Sequence, residues 1–99
     1  MTNQEVITQY CEYICGYNTK AKGHNSTWSI FYEKDIIYSY GYHWPMAWYQ
    51  GARDIIVNSS KYSVTTSKHM SMLMRELENY CVNEFTSMTV AELKESLKK

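Results

Sequence analysis

Apolar residues recur at helical spacing in three parts of the chain. From Asn3 to Tyr17 they lie three and four positions apart, which predicts an amphipathic helix. Residues 65–81, TTSKHMSMLMRELENYC, repeat this period and predict a second helix with Thr65 or Thr66 as its N-cap. The C-terminal segment SMTVAELKESLKK predicts a third, shorter helix that begins with a Thr-x-x-Glu capping box.

Between the first two helices, apolar and polar side chains alternate, and this is typical of β-strands. Four runs are interpreted as strands: residues 27–33, 36–44, 54–58 and 62–64. The first two predict a β-hairpin around Lys34 and Asp35, and Pro45 is expected to end the pairing or to mark an edge or a bulge. Residues 18–26 have no period and are interpreted as an exposed loop.

This order of elements predicts an α+β fold. We expect an antiparallel β-meander of about four strands with one N-terminal helix and two C-terminal helices. Short polar turns join the strands, so neighbouring strands must run antiparallel, and the helices must cover an apolar face of the sheet. A chain of 99 residues has room for one core of modest size, and we interpret residues 1–99 as a single domain.

The charge balance narrows the classes of partner. Ten Lys and Arg residues offset ten Asp and Glu residues, so the chain has no general attraction to phosphate backbones and does not resemble an acidic DNA mimic. Its three cysteines include no C-x-x-C pair, and it has neither a signal-peptide pattern nor the roughly 20-residue apolar run of a membrane-spanning helix. These observations predict a reduced, cytoplasmic protein that does not associate with membranes.

An aromatic stripe occupies every second position from 38 to 44. On a strand these side chains share one face, and the simplest interpretation is that this face is the core side of the sheet. Ten tyrosines and three tryptophans, however, carry more hydroxyl and indole groups than a small core usually satisfies. Part of the set is therefore expected to form an exposed partner-binding surface. We assign to this surface Tyr38, Tyr40, Tyr42, Trp44, Trp48 and Tyr49.

The polar side chains between the aromatic ones suggest a second candidate site. His69 falls in the first turns of the predicted second helix, where backbone N–H groups favour an anion, and His43 is expected to lie near it. The residues that would line such a phosphate-binding pocket are Ser39, His43, Tyr62, Thr65, Thr66 and His69. Each also has an ordinary structural interpretation: Thr66 as a helix cap, His69 as an exposed helix residue and His43 as a buried imidazole.

No motif identifies a reaction. The sequence contains no G-x-S-x-G, P-loop, G-x-G-x-x-G or H-E-x-x-H pattern, and its histidines and cysteines lack the spacing of a zinc site. Neither a cofactor nor a metal is predicted, and an enzyme is the less favoured class of protein.

Three stretches carry a recognisable pattern: YSYGYHWPMA at 38–47, VN at 57–58 and YSVTTSKHMS at 62–71. They resemble a family of small, mostly uncharacterised domains encoded by bacteriophages, and the resemblance covers residues 28–77. It implies expression in the cytoplasm of an infected bacterium and implies no particular activity. The residues that match the family pattern are Tyr38, Ser39, Tyr40, Gly41, His43, Pro45, Asn58, Tyr62, Ser63, Thr65, Thr66 and His69.

Three functional hypotheses follow. The leading one is a phage-encoded accessory protein that binds and modulates a host bacterial protein of defence, transcription or replication through the aromatic surface. The second is a phosphate- or nucleotide-binding domain, with or without catalysis, that uses His43, Thr66 and His69. The third is a nucleic-acid-binding module built on the basic loop Lys20–His24, which the absence of Lys and Arg from residues 36–52 disfavours. Each hypothesis leaves open whether the protein forms a homodimer.

Overall fold

The structure, a computed structural model, describes residues 2–42, 44–51, 54–60, 64–80, 82 and 84–97, with Thr65 and Glu84 described by their backbone alone. These residues form three helices: α1 (Asn3–Ile14), α2 (Val64–Asn79) and α3 (Val90–Leu97). They also form six strands: β1 (Lys22–His24), β2 (Ile30–Glu33), β3 (Ile36–Ser39), β4 (Pro45–Gly51), β5 (Asp54–Asn58) and β6 (Glu84–Met88).

The described strands belong to one sheet with the order β1-β2-β3-β4-β5-β6. The first five form an antiparallel meander, whereas β6 pairs parallel to β5. The parallel pair follows from its connection, because α2 carries the chain back along the sheet before β6 begins. The α+β class is therefore confirmed, and the predicted four-stranded antiparallel meander is corrected to a six-stranded mixed sheet.

Two strands lie where none was predicted. β1 falls within the segment interpreted as an exposed loop, and β6 overlaps the start of the segment assigned to the third helix. β1 lacks an alternating signal because its central residue is Gly23, and a Cβ at this position would lie only 2.7 Å from Cε1 of Tyr32. The signal for β6 is weak because it is a short edge strand, which forms through its pairing with β5.

The predicted strand at residues 62–64 is wrong at Val64, which is the first residue of α2. Tyr62 and Ser63 lie outside the described residues. Thr65 and Thr66 consequently lie in the first turn of α2 and not at its N-cap. The capping box of α3 is confirmed: the Glu92 N–H donates to Thr89 Oγ1, and the Thr89 N–H donates to Glu92 Oε1. None of the described helices is both long and apolar enough to cross a membrane.

The long strand predicted at 36–44 is divided into β3, a turn and the start of β4. After β3 the backbone enters the left-handed region at Tyr40 (φ 61°), and φ is also positive at Gly41 (131°). β4 begins at Pro45, which pairs with Tyr38 beside a bulge, as its missing N–H allows. The expectation for Pro45 is thus confirmed, and the expectation that the aromatic stripe shares one strand face is wrong.

The main core lies between one face of the sheet and the helices α1 and α2. Its buried side chains include Val6, Ile7, Tyr10 and Cys11 of α1, Leu73 and Leu77 of α2, and Ile30, Tyr32, Ile37, Ala47, Ile55 and Val57 of the strands. Each buried aliphatic side chain contributes roughly 1.5–3 kcal/mol. The two buried tyrosines keep their hydrogen bonds, because Tyr10 donates to the Asp35 carbonyl and Tyr32 donates to the Lys20 carbonyl.

The opposite face of the sheet is divided between α3 and aromatic side chains. Strand alternation directs Phe31, Tyr38 and Ile56 to this face. Ile56 and Leu93 of α3 are buried outside the main core, which places α3 on this face against β4, β5 and β6. The β1–β3 half of the face carries the candidate site.

The β2–β3 turn allows a test of backbone strain. Lys34 has a left-handed backbone (φ 53°), which costs a residue with a side chain about 1–2 kcal/mol, while glycine in its place loses about 0.5–1 kcal/mol of chain entropy. We expect Lys34→Gly to raise the free energy of unfolding in urea by about 0.5–1 kcal/mol. Asp35→Gly is the control, since φ is not positive there, and it should lower this free energy. Equal effects of the two variants would contradict the strain.

Candidate functional site

The six residues assigned to a partner-binding surface do not share one face. Two are exposed, Tyr40 and Tyr42; two are buried, Tyr38 and Trp44; and two are half-buried, Trp48 and Tyr49. Trp44 belongs to the main core, and Tyr49 packs against it. The turn between β3 and β4 causes this separation, because it redirects the side chains that a continuous strand would have aligned. Their role in binding a partner stays a prediction.

An aromatic cluster covers the β1–β3 half of the face that α3 leaves open. It consists of His24, Trp28, Phe31, Tyr38 and Tyr42. Phe31 is central: its ring centroid lies 5.0 Å from those of Tyr38 and Tyr42 and 5.8 Å from that of Trp28. The Trp28 indole stacks on the His24 imidazole at 3.6 Å. Such aromatic pairs contribute about 0.5–1.5 kcal/mol each beyond their buried area, so the rings support one another.

Two rings of the cluster remain open to solvent. Trp28 is 54% exposed and Tyr42 is 61% exposed, whereas Phe31 and Tyr38 beneath them are buried. The Tyr42 hydroxyl donates a hydrogen bond to the Glu33 carboxylate, and this contact raises the pKa of Tyr42. The cluster therefore presents an indole and a phenol ring on a buried aromatic base.

Two exposed aromatic residues have a left-handed backbone, which bulky L-residues rarely adopt: φ is 57° at Trp28 and 61° at Tyr40. Backbone hydrogen bonds hold both turns. The Trp28 N–H donates to the Asn25 carbonyl at 3.2 Å, and the Tyr40 N–H donates to the Ser29 carbonyl at 2.9 Å. The two turns are thus tied together. Trp28 and Tyr42 contact Phe31, whereas Tyr40 contacts His69. Hereafter these three exposed aromatic residues, Trp28, Tyr40 and Tyr42, are called the surface patch.

A chain of buried polar side chains lies beneath Tyr40. His69 of α2 contacts Ser39 Oγ through Nδ1 at 3.1 Å and Asn3 Nδ2 through Nε2 at 3.2 Å. Ser39 Oγ also contacts Thr66 Oγ1 at 3.2 Å. The Tyr40 ring stacks over the imidazole, with 5.9 Å between the centroids. Ser39, Thr66 and His69 are at most 2% exposed, so the group is closed to solvent.

The chain continues into the turn before β2. Asn25 Nδ2 donates to Asn3 Oδ1 and to Ser29 Oγ, at 2.6 Å each, and Asn25 Oδ1 accepts the Ile30 N–H at 3.3 Å. One connected network therefore joins α1, α2, β3 and the turn that carries Trp28. We call the side chains of Asn25, Asn3, His69, Ser39 and Thr66 the buried relay; four of them are buried and Asn3 is half-buried.

The buried relay has one consistent direction. The Ile30 N–H can only donate, which fixes Asn25 Oδ1 as an acceptor and leaves Asn25 Nδ2 to donate to Asn3 Oδ1. Asn3 then presents Nδ2 to His69, so Nε2 must be the unprotonated nitrogen of the imidazole. The proton of the neutral ring consequently lies on Nδ1 and is donated to Ser39 Oγ.

This arrangement does not prepare Ser39 for catalysis. A general base would face the serine hydroxyl with an unprotonated nitrogen, but here Nδ1 of His69 carries the proton. Burial lowers the pKa of His69, so the imidazole is neutral at pH 7 and offers no positive charge to a phosphate. The geometry is that of a satisfied structural network.

The structure brings together three of the six residues predicted to line an anion pocket: Ser39, Thr66 and His69. His43 and Tyr62 lie outside the described residues, as does the side chain of Thr65. The alternative interpretation of His69 as an exposed helix residue is wrong, because the ring is buried beneath Tyr40.

Sequence reasoning missed Asn3, His24, Asn25 and Trp28 as parts of the site. The run NSTWS at 25–29 has the composition of a turn that is closed by side-chain hydrogen bonds, and this signal could have indicated Asn25. No local signal indicates Asn3, whose partner His69 is 66 positions away in the sequence.

The described part of the chain offers no metal-binding cluster, and its buried cysteine, Cys11, is unreactive. No group of three or more His, Cys, Asp or Glu residues is placed there to hold a metal ion. Cys11 lies in the main core, and burial raises the pKa of its thiol, which keeps it protonated and unreactive.

The direction of the relay depends on Asn25, so removal of the Asn25 side chain tests what the relay contributes to stability. Asn25→Ala leaves the buried Ile30 N–H and Asn3 Oδ1 without these partners, at about 1–3 kcal/mol for each unsatisfied group. We expect the free energy of unfolding to fall by about 2–4 kcal/mol in denaturant titrations. Thr27→Ala, which removes an exposed hydroxyl bonded to Ser29, should change it by less than about 0.5 kcal/mol. Similar effects of the two variants would argue against the relay.

The neutral state of His69 gives stability a pH dependence. The folded ring takes up a proton only below its ordinary pKa of 6.5, whereas the unfolded ring takes it up near that value, so unfolding binds a proton in this interval. This contribution to stability is complete above pH 6.5 and is lost as the pH falls below it. We expect the free energy of unfolding to decline between neutral pH and pH 5 more steeply than in His69→Gln. Parallel pH profiles of the two proteins would refute the assignment.

Comparison with known proteins identifies the family without assigning an activity. Searches among curated proteins and among solved structures find no match. Residues 3–85 match the profile of DUF8033, a family of unknown function, and this agrees with the expected relation to uncharacterised small domains. The match spans α1 to the start of β6 and so includes both the aromatic cluster and the buried relay. The chain therefore belongs to the DUF8033 family.

Proposed function

We propose that this protein acts by binding another protein through the surface patch of Trp28, Tyr40 and Tyr42. We further propose that the partner belongs to a bacterium infected by the phage that encodes this chain, as a component of defence, transcription or replication. The phage origin rests on the resemblance of residues 28–77 to phage-encoded domains. The binding role rests on the geometry of the patch.

The observation that carries the proposal is the left-handed backbone of two exposed aromatic residues. This conformation costs roughly 1–3 kcal/mol at each of Trp28 and Tyr40, and glycine or asparagine would adopt it more readily. Because the rings remain about half exposed, their burial recovers only part of this cost. Bulky residues at strained, exposed positions are expected where their side chains have a use outside the fold.

The chemistry of the patch suits a protein interface. Trp and Tyr dominate the binding energy of many interfaces, because they bury a large area while few rotatable bonds are fixed. Phe31 supports Trp28 and Tyr42 from below, and His69 supports Tyr40. Rings that are positioned before binding lose less entropy when a partner arrives, which favours affinity.

The two rival hypotheses have weaker support. A nucleotide or phosphate site at Thr66 and His69 would need a positive charge or a free donor, but the imidazole is neutral and both of its nitrogens are engaged. Nucleic-acid binding is supported by two residues of β1, Lys22 and His24, which lie on the same sheet face as the aromatic cluster. Lys22, however, lies opposite Glu33, and the chain has no net positive charge.

The proposal is tested by variants that separate stability from binding. Trp28→Asn and Tyr40→Asn place a residue that tolerates left-handed backbone at each strained position. We expect each variant to keep the wild-type free energy of unfolding within about 1 kcal/mol and to reduce capture of the host partner at least tenfold, which corresponds to about 1.4 kcal/mol of binding energy. Capture is quantified by affinity purification from host lysate and mass spectrometry.

Tyr17→Ala is the matched control, because Tyr17 is 76% exposed and pairs with Tyr80 instead of the aromatic cluster. It should leave capture unchanged. Equal capture by wild type and both asparagine variants would refute the patch assignment, and so would an equal loss in Tyr17→Ala. Recovery of nucleic acid without a stoichiometric protein would refute the protein-binding role.

A further inference from the structure

We propose that the charge state of His69 controls the order of the surface patch, so that the patch is formed while the imidazole is neutral and loosens when it is protonated. This inference rests on the proposed function in one respect only, namely that the surface patch binds a protein partner. The coupling itself is a property of the chain alone, and its basis is the one-way order of donors and acceptors in the buried relay.

A second proton on the imidazole has no acceptor within the relay. Nδ1 of His69 already donates to Ser39, and the new N–H at Nε2 would face Nδ2 of Asn3, which is also a donor, at 3.2 Å. Two donors in a buried site leave both hydrogen bonds unmade. Protonation therefore breaks the relay at the contact between α2 and α1.

Rotation of the Asn3 amide moves the contact between two donors to another position in the buried relay and does not remove it. If Asn3 turns its Oδ1 to His69, its Nδ2 faces Nδ2 of Asn25 at a position that is now a 2.6 Å hydrogen bond. Asn25 cannot turn in response, because its Oδ1 accepts the Ile30 N–H. Each arrangement leaves one buried donor against another, until the turn at Asn25 opens.

The turns affected by this contact between donors are those that hold Trp28 and Tyr40, the two residues of the surface patch with a left-handed backbone. Asn25 closes the turn that holds Trp28, through its side-chain bonds and through its carbonyl, which accepts the Trp28 N–H. Tyr40 stacks on the imidazole, and its N–H bonds to Ser29 of the same turn. Left-handed backbone at bulky residues persists only where surrounding contacts enforce it, so these two turns are the parts that loosen first.

No described charged group facing His69 offers compensation. The imidazole is hydrogen-bonded to the uncharged side chains of Asn3 and Ser39 and is stacked against the Tyr40 ring. Lys68, which precedes His69 on α2, and Glu5, which lies two residues after Asn3 on α1, are exposed, and the Glu5 carboxylate accepts the Thr2 N–H. His24 also stacks on Trp28 and is removed in a separate control variant.

The test is a pH titration of the isolated protein by NMR, which follows the imidazole resonances together with the amide and indole resonances of Trp28 and the amide of Tyr40. The imidazoles are assigned with His24→Gln and His43→Gln. In wild type and in His24→Gln, we expect the Trp28 and Tyr40 signals to broaden with the midpoint of His69, below pH 6.5.

Asn3→Asp is the decisive variant. It replaces the donor Nδ2 by a second carboxylate oxygen, which can accept the Nε2–H of a charged imidazole while the other oxygen still accepts from Asn25. Aspartate also suits the first turn of a helix, so α1 is retained. We expect the midpoint of His69 to rise by about one unit or more, and the Trp28 and Tyr40 signals to stay sharp through pH 5.

Three results would overturn the inference. They are a His69 titration that leaves the Trp28 and Tyr40 signals unchanged, loss of these signals at the same pH in Asn3→Asp and wild type, and global unfolding before any change confined to the two turns. Capture experiments separate the two proposals. A chain that shows this coupling but captures no partner refutes the proposed function, and equal capture with His69 charged and neutral refutes the control of binding.

Discussion

The structure depends on one fixed hydrogen bond, from the backbone N–H of Ile30 to the side-chain carbonyl of Asn25. A backbone N–H cannot exchange roles with an acceptor, so this bond sets the orientation of Asn25, then of Asn3, and then the tautomer of His69. The same side chains belong to both helices of the main core, to the end of β3 and to the turn before β2. Packing supplies most of the folding energy, but this network determines how these segments meet.

The buried relay and the aromatic cluster have complementary roles. The relay satisfies polar groups that would destabilise the protein if they were buried without partners, and it also enforces a left-handed backbone at Trp28 and Tyr40. The cluster lies on the opposite sheet face, where Phe31 and Tyr38 support the exposed rings of Trp28 and Tyr42. The chain thus carries exposed aromatic side chains whose positions are set by buried polar contacts.

The sequence predicted the elements whose signal is local, and it failed where the signal comes from a partner segment. The period of α2 and the capping box of α3 are local, whereas β1 is a three-residue strand that pairs with β2 and places Gly23 opposite Tyr32. The alternation of the aromatic stripe continues through Tyr40 and Gly41, but the backbone there leaves the β region, so the stripe does not lie on one strand. The sequence groups Ser39, Thr66 and His69 into one site, but only the fold shows that His69 bonds Asn3 and that Asn3 in turn bonds Asn25.

The tautomer of His69 at neutral pH decides the direction of the buried relay, and a long-range proton–nitrogen correlation spectrum of the imidazole measures it. We expect Nδ1 to carry the proton and Nε2 to be unprotonated, because Asn3 presents a donor to Nε2. A proton on Nε2 would contradict this direction. In that case Ser39 would donate to Nδ1, the direction of the relay would be reversed, and the neutral imidazole would be oriented as a general base toward the serine.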